Sequence, residues 1–454
     1  MSAELVWKAE DVIRALGGQY LHEQTWEAHG VSIDSRTTKK GDIFFALIGP
    51  NDDGHEYVKN AFEAGAAAAI VSRQPPQVAK DAPLIFVEDT LTAMEFLGHA
   101  NRERCQARIV AVTGSVGKTS TKEMLRLMLS AMGDTYANEG SLNNHWGVPL
   151  SLARMPQSSN YGVFEMGMNH AGELTALSRQ VKPHVALITT IEAVHLEHFE
   201  SVEAIADAKA EIFYGMQAIN TPVLNKDNNQ YERLFALASG NGFKQIFSFG
   251  RNAKEGRMKD CVATSDGSTV TAEILGRTVN YHLPVFGEHM ALNSVGALLS
   301  AVAAGGDIEA CAAALQHFTQ PKGRGVIQTI TAPQGNFMLI DESYNASPVA
   351  LRAAIRVLSQ MPIAKGRRLL ALGDMKELGT SAPEMHAALA KDIIDAKIDL
   401  VFSCGEMMAH LNGNLPDSIR GGWAKDSTDL APMVAAAMQG GDIITVKGSN
   451  SVKM

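Results

Sequence analysis

Short runs of apolar residues alternate with amphipathic stretches along most of the chain. Five of these runs are typical of buried strands, namely RIVAVTGS, YGVFEMG, HVALITTI, TPVLNK and QIFSFG. Apolar strands that alternate with helices predict a parallel sheet whose ligands bind at the carboxyl ends of the strands. The segment VATSDGSTVTAEI predicts an added antiparallel hairpin that turns at Asp266 and Gly267.

The same pattern divides the chain into three α/β units. Residues 1–106 contain helices in DVIRALGG and YVKNAFEAGA and strands in GDIFFAL, AAIVS and LIFVED. After the parallel sheet of residues 107–317, the alternation begins again near residue 318 with FMLIDE, RRLLALGD, DLVFSCG and DIITVKGS. A length of 454 residues exceeds what one hydrophobic core usually serves. We therefore predict three domains, residues 1–106, 107–317 and 318–454.

Composition and charge exclude several classes of protein. The net charge of −9 argues against a nucleic-acid or anionic-membrane partner, since both require basic patches. The four cysteines are scattered and form no Cys-x-x-Cys pair, so we interpret them as reduced thiols. The N-terminus carries charges where a signal peptide needs an apolar core, and the most apolar helix, near residues 290–305, contains Asn293. These features predict a cytoplasmic protein without a membrane span.

The segment VAVTGSVGKTSTK joins an apolar strand to a helix through a glycine turn. Backbone N–H groups and the helix dipole bind anions in such a turn, Lys118 can reach terminal phosphates, and Thr119 can place a hydroxyl on Mg²⁺. The full Walker spacing requires a glycine at Val112, and only the shorter Gly114-x-x-Gly117-Lys118-Thr119 is present. A turn that binds nothing is the alternative, but the strand–turn–helix context favours a phosphate site.

Two neighbouring features bear on the chemistry at that phosphate. A GTPase reads guanine with Asn-Lys-x-Asp, and residues 225–228, NKDN, misplace the aspartate, so we interpret this match as chance. A kinase-like or motor ATPase usually ends a second strand in aspartate, whereas YGVFEMG contains Glu165. A glutamate is costly to bury unless a cation meets it. Glu165 is therefore a predicted metal ligand, with a solvent-facing glutamate as the alternative.

Lys209 lies on the apolar side of a predicted helix over residues 201–216, for which Ser201 is the predicted N-cap. On the pattern alone, a lysine whose stem packs while its ammonium reaches solvent is the favoured interpretation. The alternative is a desolvated, neutral amine that takes up CO₂ and becomes a carbamate, a carboxylate-like metal ligand. His195, just after a strand, would suit the same metal, although a lone histidine is more often structural.

Ten segments, taken in this order, resemble the Mur ligases: VTGSVGKTSTK, NNHWGVPLSL, FEMGMNHAGEL, AVHLEHF, AIADAKAEIF, GEHMALNSVGALLSA, KGRG, DESYNASP, LGDMKELG and VKGS. The likeness covers nearly the whole chain. It implies an α/β, three-domain architecture: a small N-terminal α/β domain, a central phosphate-loop domain with a parallel sheet, and a Rossmann-like C-terminal domain. The activity it implies is ATP- and Mg²⁺-dependent amide-bond formation in the synthesis of peptidoglycan precursors for the cell wall.

Within the family, DESYNASP, GDMKELG and the N-terminal DSRTTKKGDIFFALIGPNDDGHEYV are similar to members that add D-alanyl-D-alanine to a UDP-N-acetylmuramoyl tripeptide. The resemblance thus implies these two substrates and a monomeric enzyme. A sibling ligase that adds the diamino acid would show a different motif, with an arginine, in place of YNASP. A folylpolyglutamate synthase generally lacks the UDP-sugar domain. A non-catalytic nucleotide switch is the alternative from another class.

The resemblance also implies a role for each of several residues. The catalytic set is Lys118, Glu165, His195 and Lys209. The ATP phosphates are held by Thr113, Gly114, Ser115, Val116, Gly117, Lys118 and Thr119, and the rest of the nucleotide by Asn293, Arg324 and Asp341. One Mg²⁺ is assigned to Thr119 and Glu165, and a second to His195 and carbamylated Lys209. The UDP sugar is assigned to Ser35 and Arg36, the muramoyl peptide to Asn143, Asn144 and His170, and the dipeptide to Tyr344, Asn345 and Ala346.

The sequence departs from the family pattern at two places. Met290 occupies a position where the family often has asparagine, so we expect one polar contact near the nucleotide to be absent. The chain also stops at Met454, soon after VKGS, where relatives continue into a further helix. We expect this difference to affect the packing of the last strand.

Overall fold

The computed structural model describes residues 7–17, 19–20, 25–194, 196–363 and 365–454, and the described strands form four sheets. The elements of the first unit are β1 (Trp7–Lys8), α1 (Ala9–Leu16), β2 (Gln19–Tyr20), β3 (Glu27–Ala28), β4 (Gly30–Ser32), β5 (Asp42–Phe45), α2 (Val58–Glu63), β6 (Ala68–Val71), β7 (Leu84–Phe86) and α3 (Thr90–Arg104). Its main sheet has the order β2-β7-β6-β5-β4, with β4 to β7 parallel and β2 antiparallel. Strands β1 and β3 form a separate antiparallel pair.

The second unit contains the longest described sheet. Its elements are β8 (Arg108–Thr113), α4 (Lys118–Ser130), β9 (Thr135–Ala137), α5 (Gly147–Arg154), β10 (Tyr161–Glu165), α6 (Glu173–Val181), β11 (Val185–Ile188), α7 (Val202–Ala210), β12 (Thr221–Asn225), α8 (Tyr231–Gly240), β13 (Phe247–Gly250), β14 (Gly256–Ala263), β15 (Ser268–Ile274), β16 (Arg277–Leu283), α9 (Glu288–Ala303) and α10 (Ile308–Ala314). The strand order is β16-β15-β14-β13-β12-β11-β8-β10-β9.

The predicted parallel sheet is confirmed, because the pairs among β8 to β14 are all parallel. The predicted hairpin is also confirmed, since β14 and β15 pair antiparallel around residues 264–267. Strand β8 lies between β10 and β11, so the chain order reverses there. The loop after β8 therefore opens into the crevice where ligands bind in open α/β sheets.

The third unit is a second, mostly parallel sheet. Its elements are β17 (Val326–Ile330), β18 (Phe337–Glu342), α11 (Pro348–Gln360), β19 (Arg368–Gly373), α12 (Ala382–Asp395), β20 (Leu400–Cys404), α13 (Met408–Asn414), β21 (Arg420–Ala424), α14 (Ser427–Ala437) and β22 (Ile443–Lys447). The strand order is β17-β18-β22-β19-β20-β21, and among the described strands of this sheet only β17 and β18 pair antiparallel. Strand β22 lies inside the sheet, and its Ile443 and Ile444 are buried.

Short 3₁₀ turns connect several of these elements: Gly54–Tyr57, Glu211–Gly215, Leu315–His317, Gly379–Ser381, Asp417–Ile419 and Asn450–Val452.

Helix α9, the most apolar segment of the sequence, is a core helix, as predicted. Among the described residues, no helix is both long and apolar enough to span a membrane. All four cysteines are free thiols, which agrees with the interpretation from their spacing.

The first unit is anchored on the second through α3 and α5. The Trp7 indole Nε1–H donates to the Ala153 carbonyl (2.9 Å), and the Asn101 amide donates to the Leu152 carbonyl (2.6 Å). Apolar residues of α5 also belong to the hydrophobic core of the first unit. Because α3 carries polar residues on much of its length, its hydrophobic pattern did not predict a helix.

His184 lies just before β11, at the end of the central sheet away from the phosphate loop. Its Nδ1 accepts the backbone N–H of Ile109 (2.9 Å), which ties β11 to β8. Burial lowers the pKa of His184 to about 4, and the nearby guanidinium groups of Arg102 and Arg108 act in the same direction. The folded protein therefore holds this imidazole neutral at mildly acidic pH.

We expect this histidine to make folding stability depend on pH. In the unfolded chain the imidazole binds a proton near pH 6.5, whereas in the folded chain it stays neutral down to about pH 4. Unfolding thus takes up a proton in this window, so the free energy of unfolding falls as the pH falls through it. A pKa lowered from 6.5 to about 4 corresponds to about 3 kcal/mol, and because the imidazole is only half-buried, solvent screening reduces the expected fall to roughly 2 kcal/mol. Urea unfolding of the parent and of His184→Asn between pH 4.5 and 7.5 measures the difference, and an equal slope in both would contradict the prediction.

Candidate functional site

Two glycines allow the loop after β8 to pack closely against its neighbours. Gly117 has a φ of +83°, and a Cβ there would lie 2.5 Å from the Asn293 side-chain nitrogen on α9. Gly114 also has a positive φ, and a Cβ there would clash with the Thr189 hydroxyl. Any side chain at either position would therefore displace a neighbour. The structure thus brings Asn293 against the phosphate loop.

The chain that follows β11 braces this loop from the other side. The Ser115 hydroxyl donates to the Glu192 carbonyl (3.2 Å) and accepts the Glu192 backbone N–H (2.9 Å). The Thr189 hydroxyl donates to the Val116 carbonyl (2.7 Å), and the Ser115 N–H donates to the Thr190 carbonyl (2.8 Å). These bonds fix the backbone of the loop against the chain that follows β11.

Residues 225–228, which resemble a guanine-reading motif, have a bracing role in the structure. The Asn225 amide donates to the Thr189 carbonyl (2.8 Å), and the Asn228 amide donates to the Thr190 hydroxyl (2.9 Å). These bonds support the same chain that holds the phosphate loop. The contacts agree with the interpretation that the match to the guanine motif is chance.

Lys118 begins α4 and is folded onto the loop that precedes it. Its ammonium donates to the Gly114 carbonyl at 2.8 Å. Burial lowers the pKa of Lys118, the Glu165 carboxylate opposes this shift, and the Arg324 guanidinium adds to it. Charged residues of both the second and the third unit therefore act electrostatically on Lys118.

Glu165 ends β10 with its carboxylate turned inward. It is 1% exposed, and its two oxygens accept from the Thr119 hydroxyl (2.7 Å) and the Asn143 amide (2.6 Å). The alternative of a solvent-facing glutamate is therefore wrong. A carboxylate and a hydroxyl are the hard oxygen donors that Mg²⁺ prefers, so this pair fits that ion.

Residues of the third unit face the phosphate loop. The Arg324 guanidinium lies over the Tyr344 ring, 4.4 Å from its centroid, and the Tyr344 hydroxyl donates to the Ser141 hydroxyl of the second unit (2.6 Å). The Lys447 ammonium donates to the Asn345 carbonyl and pairs with Glu342, each at 2.9 Å. The carboxyl ends of β18 and β22 therefore open toward the second unit.

The second and third units enclose a cleft of about 1000 Å³. The residues predicted for the site that line it are Ser115, Val116, Gly117, Lys118, Thr119, Asn143, Asn144, Glu165, Asn293, Arg324, Tyr344, Asn345 and Ala346. Met290 also lines the cleft, and its side chain is largely buried. It presents an apolar surface where the family often has a polar asparagine, in line with the expected loss of one polar contact.

Several predicted residues lie beside the cleft. Thr113 is buried at the end of β8. The Asp341 carboxylate accepts from the Ser343 backbone N–H (3.1 Å) and hydroxyl (2.6 Å), so it closes the turn after β18. His170 is exposed; its Nδ1 lies 2.9 Å from a carboxylate oxygen of Glu173, a cleft-lining residue.

Ser35 and Arg36 lie in the first unit. Arg36 is exposed, and its guanidinium forms three hydrogen bonds to the Asp34 carboxylate at 2.9, 3.2 and 2.6 Å. Asp34 therefore occupies the Nε–Nη2 edge of this guanidinium in the structure. His195, which was predicted as a metal ligand, lies outside the described residues.

Lys209 is buried in α7, whose N-terminus is capped by Ser201 as predicted. The lysine side chain is 1% exposed, so the interpretation of an ammonium that reaches solvent is wrong. Burial lowers the pKa of Lys209 well below its usual value, and repulsion from Lys118 adds to the shift. Both effects favour the neutral amine, which is the direction that the desolvation hypothesis requires.

Some residues that shape the site were not singled out from the sequence: Lys122, Asn138, Ser141, Glu192 and Lys447. Most of them act through backbone groups distant in the chain, which a periodicity cannot reveal. Lys447 could have been identified from the sequence, since it is the lysine of the VKGS segment, which belongs to the family likeness.

Together, the fold and the cleft define a three-unit α/β protein with a phosphate loop of the kind that binds nucleotides. Family models match most of the chain: the Mur ligase family catalytic domain at residues 27–102, the Mur ligase middle domain at 112–301, and the Mur ligase glutamate ligase domain at 326–450. The chain belongs to the Mur ligase family.

Named relatives and a solved structure resemble the chain over nearly its full length. The UDP-N-acetylmuramoyl-tripeptide–D-alanyl-D-alanine ligase of Rickettsia prowazekii is 34% identical over 452 residues, covering 99% of this chain and 98% of the relative. The ligase of the same name from Escherichia coli is 34% identical over 428 residues, covering 93% and 91%. A crystal structure of MurF from Acinetobacter baumannii superposes with a TM-score of 0.86 at 30% identity, covering 99% of this chain and 97% of that one.

Proposed function

We propose that this protein joins D-alanyl-D-alanine to a UDP-N-acetylmuramoyl tripeptide at the expense of ATP, releasing ADP and phosphate. The single observation that carries the proposal is the cleft in which a phosphate loop with Glu165 faces Arg324 and Tyr344 of the third unit. Full-length likeness to ligases of that name supports the choice of substrates. The reaction belongs to cytoplasmic synthesis of peptidoglycan precursors.

The three units have separate tasks in this proposal. Residues 1–106 bind the UDP sugar, with Ser35 and Arg36 at that site. Residues 107–317 bind ATP through the phosphate loop and Asn293. Residues 318–454 complete the nucleotide site with Arg324 and Asp341 and receive the dipeptide at Tyr344, Asn345 and Ala346. Asn143, Asn144 and His170 face the muramoyl peptide.

Amide formation in water is uphill, so the carboxylate is activated first. A carboxylate oxygen of the tripeptide attacks the γ-phosphorus of ATP, the bond to the β-phosphate oxygen breaks, and an acyl phosphate and ADP result. The amine of the dipeptide then attacks the acyl carbon, the tetrahedral intermediate expels phosphate, and the nitrogen loses a proton. The third unit covers the cleft and excludes the water that would hydrolyse the acyl phosphate.

The residues of the phosphate loop act by position and charge. Lys118 turns from the loop carbonyls to the terminal phosphates and neutralises the charge that gathers on them. Thr119 and Glu165 would hold one Mg²⁺, and His195 with Lys209 would hold a second. Such ions supply electrostatic stabilisation of the phosphoryl oxygens. Asn143 keeps the Glu165 carboxylate oriented.

Lys209 serves as a ligand in the form of its carbamate. Its neutral amine attacks CO₂, a C–N bond forms, and the amine proton is released to solvent, which leaves an anionic carboxylate-like group. Burial of the side chain and the lowered pKa support this modification, because only a neutral amine is nucleophilic.

Phosphate release with and without D-alanyl-D-alanine, in the presence of ATP, Mg²⁺ and the UDP-muramoyl tripeptide, tests the function. We expect release to depend on both substrates and the product to gain the mass of the dipeptide less one water. Stimulation by a diamino acid with the UDP-muramoyl dipeptide would instead indicate the sibling ligase, and stimulation by glutamate with a folate a folylpolyglutamate synthase. Nucleotide binding without release by any of these acceptors would indicate a switch.

A further inference from the structure

Lys122 is a fully buried lysine one helical turn beyond Lys118 on α4. Its side chain is 0% exposed, and its ammonium donates to the backbone carbonyls of Asn138 (2.6 Å) and Gly140 (3.1 Å) and lies 3.0 Å from Glu123 Oε1. A buried charge is costly unless hydrogen bonds satisfy it. The ammonium is satisfied only when the carbonyls of residues 138 and 140 point toward it, so it favours that backbone conformation.

Those carbonyls belong to residues 138–144, here named the bridge loop, which holds Glu165 in place. The side-chain oxygen of Asn138 accepts the Glu165 backbone N–H (2.8 Å), and its amide donates to the Glu165 carbonyl (3.1 Å). Asn143 donates to the Glu165 carboxylate at 2.6 Å. One end of the bridge loop thus fixes the backbone of Glu165, and the other fixes its carboxylate.

The bridge loop also meets the third unit. Its Ser141 hydroxyl accepts a hydrogen bond from the Tyr344 hydroxyl (2.6 Å), and the Arg324 guanidinium covers the ring of that tyrosine. The loop therefore joins three parts of the cleft: the helix behind the phosphate loop, the carboxylate of β10, and the facing unit. Lys122 is the side chain of α4 that holds the loop at its first turn.

We propose that Lys122 is a positioning residue that sets the bridge loop, and through it the Glu165 carboxylate and the docking point of Tyr344. This proposal rests on the proposed ligase function only for its catalytic readout. A lysine suits the task because a long stem carries three donors that reach two carbonyls and a carboxylate together. Lys122 is not among the described residues that line the cleft, so it acts through the loop.

The test compares Lys122→Met, which fills the stem volume but donates no hydrogen bond, with Glu123→Gln, which keeps an oxygen acceptor beside the ammonium. In Lys122→Met we expect hydrogen exchange to rise in the bridge loop, whose Leu142 and Asn143 amides are hydrogen-bonded within it, and to stay unchanged elsewhere. We expect kcat to fall about 10- to 100-fold with little change in the KM for ATP. Glu123→Gln should match the parent in both readouts.

A double variant with Asn143→Ala separates positioning from general stability. If Lys122 acts through the loop, the two substitutions lower kcat by less than the product of their separate effects. Multiplicative effects, an unchanged exchange rate in the bridge loop, or exchange that rises evenly through the chain would each overturn the proposal. If Lys122→Met does not fold, Lys122→Gln replaces it, and failure of both would assign the lysine to the stability of the fold instead. The exchange measurement needs no substrate, so it decides the positioning role even if the ligase assay fails.

Discussion

Replacing Lys118 with alanine is expected to abolish ligation while leaving the fold intact. The ammonium lies at the start of α4 against the Gly114 carbonyl, and in the proposed function it meets the terminal phosphates of ATP. Removing one preorganised charge-stabilising donor typically costs about 10²–10³ in kcat, and here the donor faces the group in transfer. Because the loop is also braced through Ser115 and Thr189, the substitution should not unfold it. The measurement is phosphate release at saturating substrates.

Lys391→Ala is the matched control, since this lysine is exposed on α12 and pairs only with Asp395 in the described structure. It should retain the parent rate. Circular dichroism checks the fold of both variants. An unfolded Lys118→Ala protein would give the lysine a structural role, and a folded variant with near-normal turnover would contradict the assignment to the phosphates.

Replacing Lys209 with alanine is expected to reduce ligation by about a thousandfold, because metal charge stabilisation is worth several kcal/mol and each 1.36 kcal/mol is tenfold in rate. The substitution removes the amine that would carry the carbamate. Helix α7 should persist, since alanine is the better helix former. Acetate can enter the vacated space, and we expect it to restore part of the rate.

Lys209→Met is the matched control for that rescue. Methionine fills the space of the stem, so acetate should restore nothing although the loss of rate is similar. Carbon-13 NMR of the parent with labelled CO₂ should show a carbamate resonance that is absent from both variants. Near-normal rates in the variants, or no carbamate in an active parent, would contradict the metal-ligand role.

Local features of the sequence predicted more of the fold than of the site. The apolar runs coincide with strands β5 to β8 and β10 to β13, and with β18, β19, β20 and β22, because buried strands must be apolar throughout. The edge strands β17 and β21 were not predicted. Strand β17 is largely exposed and β21 contains two glycines, so neither shows a hydrophobic signal.

The sequence predicted some residues of the site and left the state of others open. The glycine turn, Lys118 and Thr119 are contiguous, and their spacing between an apolar strand and a helix predicts a phosphate loop. The state of Lys209 was not decided by its spacing, because a stem on an apolar stripe is compatible with either a buried or a solvent-exposed ammonium. Only the packing around α7 removes the solvent and lowers the pKa of the amine.

The sequence by itself determined the order of most buried strands, the position of the phosphate loop, and the likeness to Mur ligases, since each depends on residues close together in the chain or on the order of short motifs. The tertiary structure decided which of those residues meet. Glu165 accepts from Thr119 and Asn143, Tyr344 reaches Ser141, and Lys122 holds the bridge loop, across separations in the chain that no periodicity encodes. Such contacts depend on the reversal of strand order at β8 and on the facing third unit, which arise only when the whole chain packs.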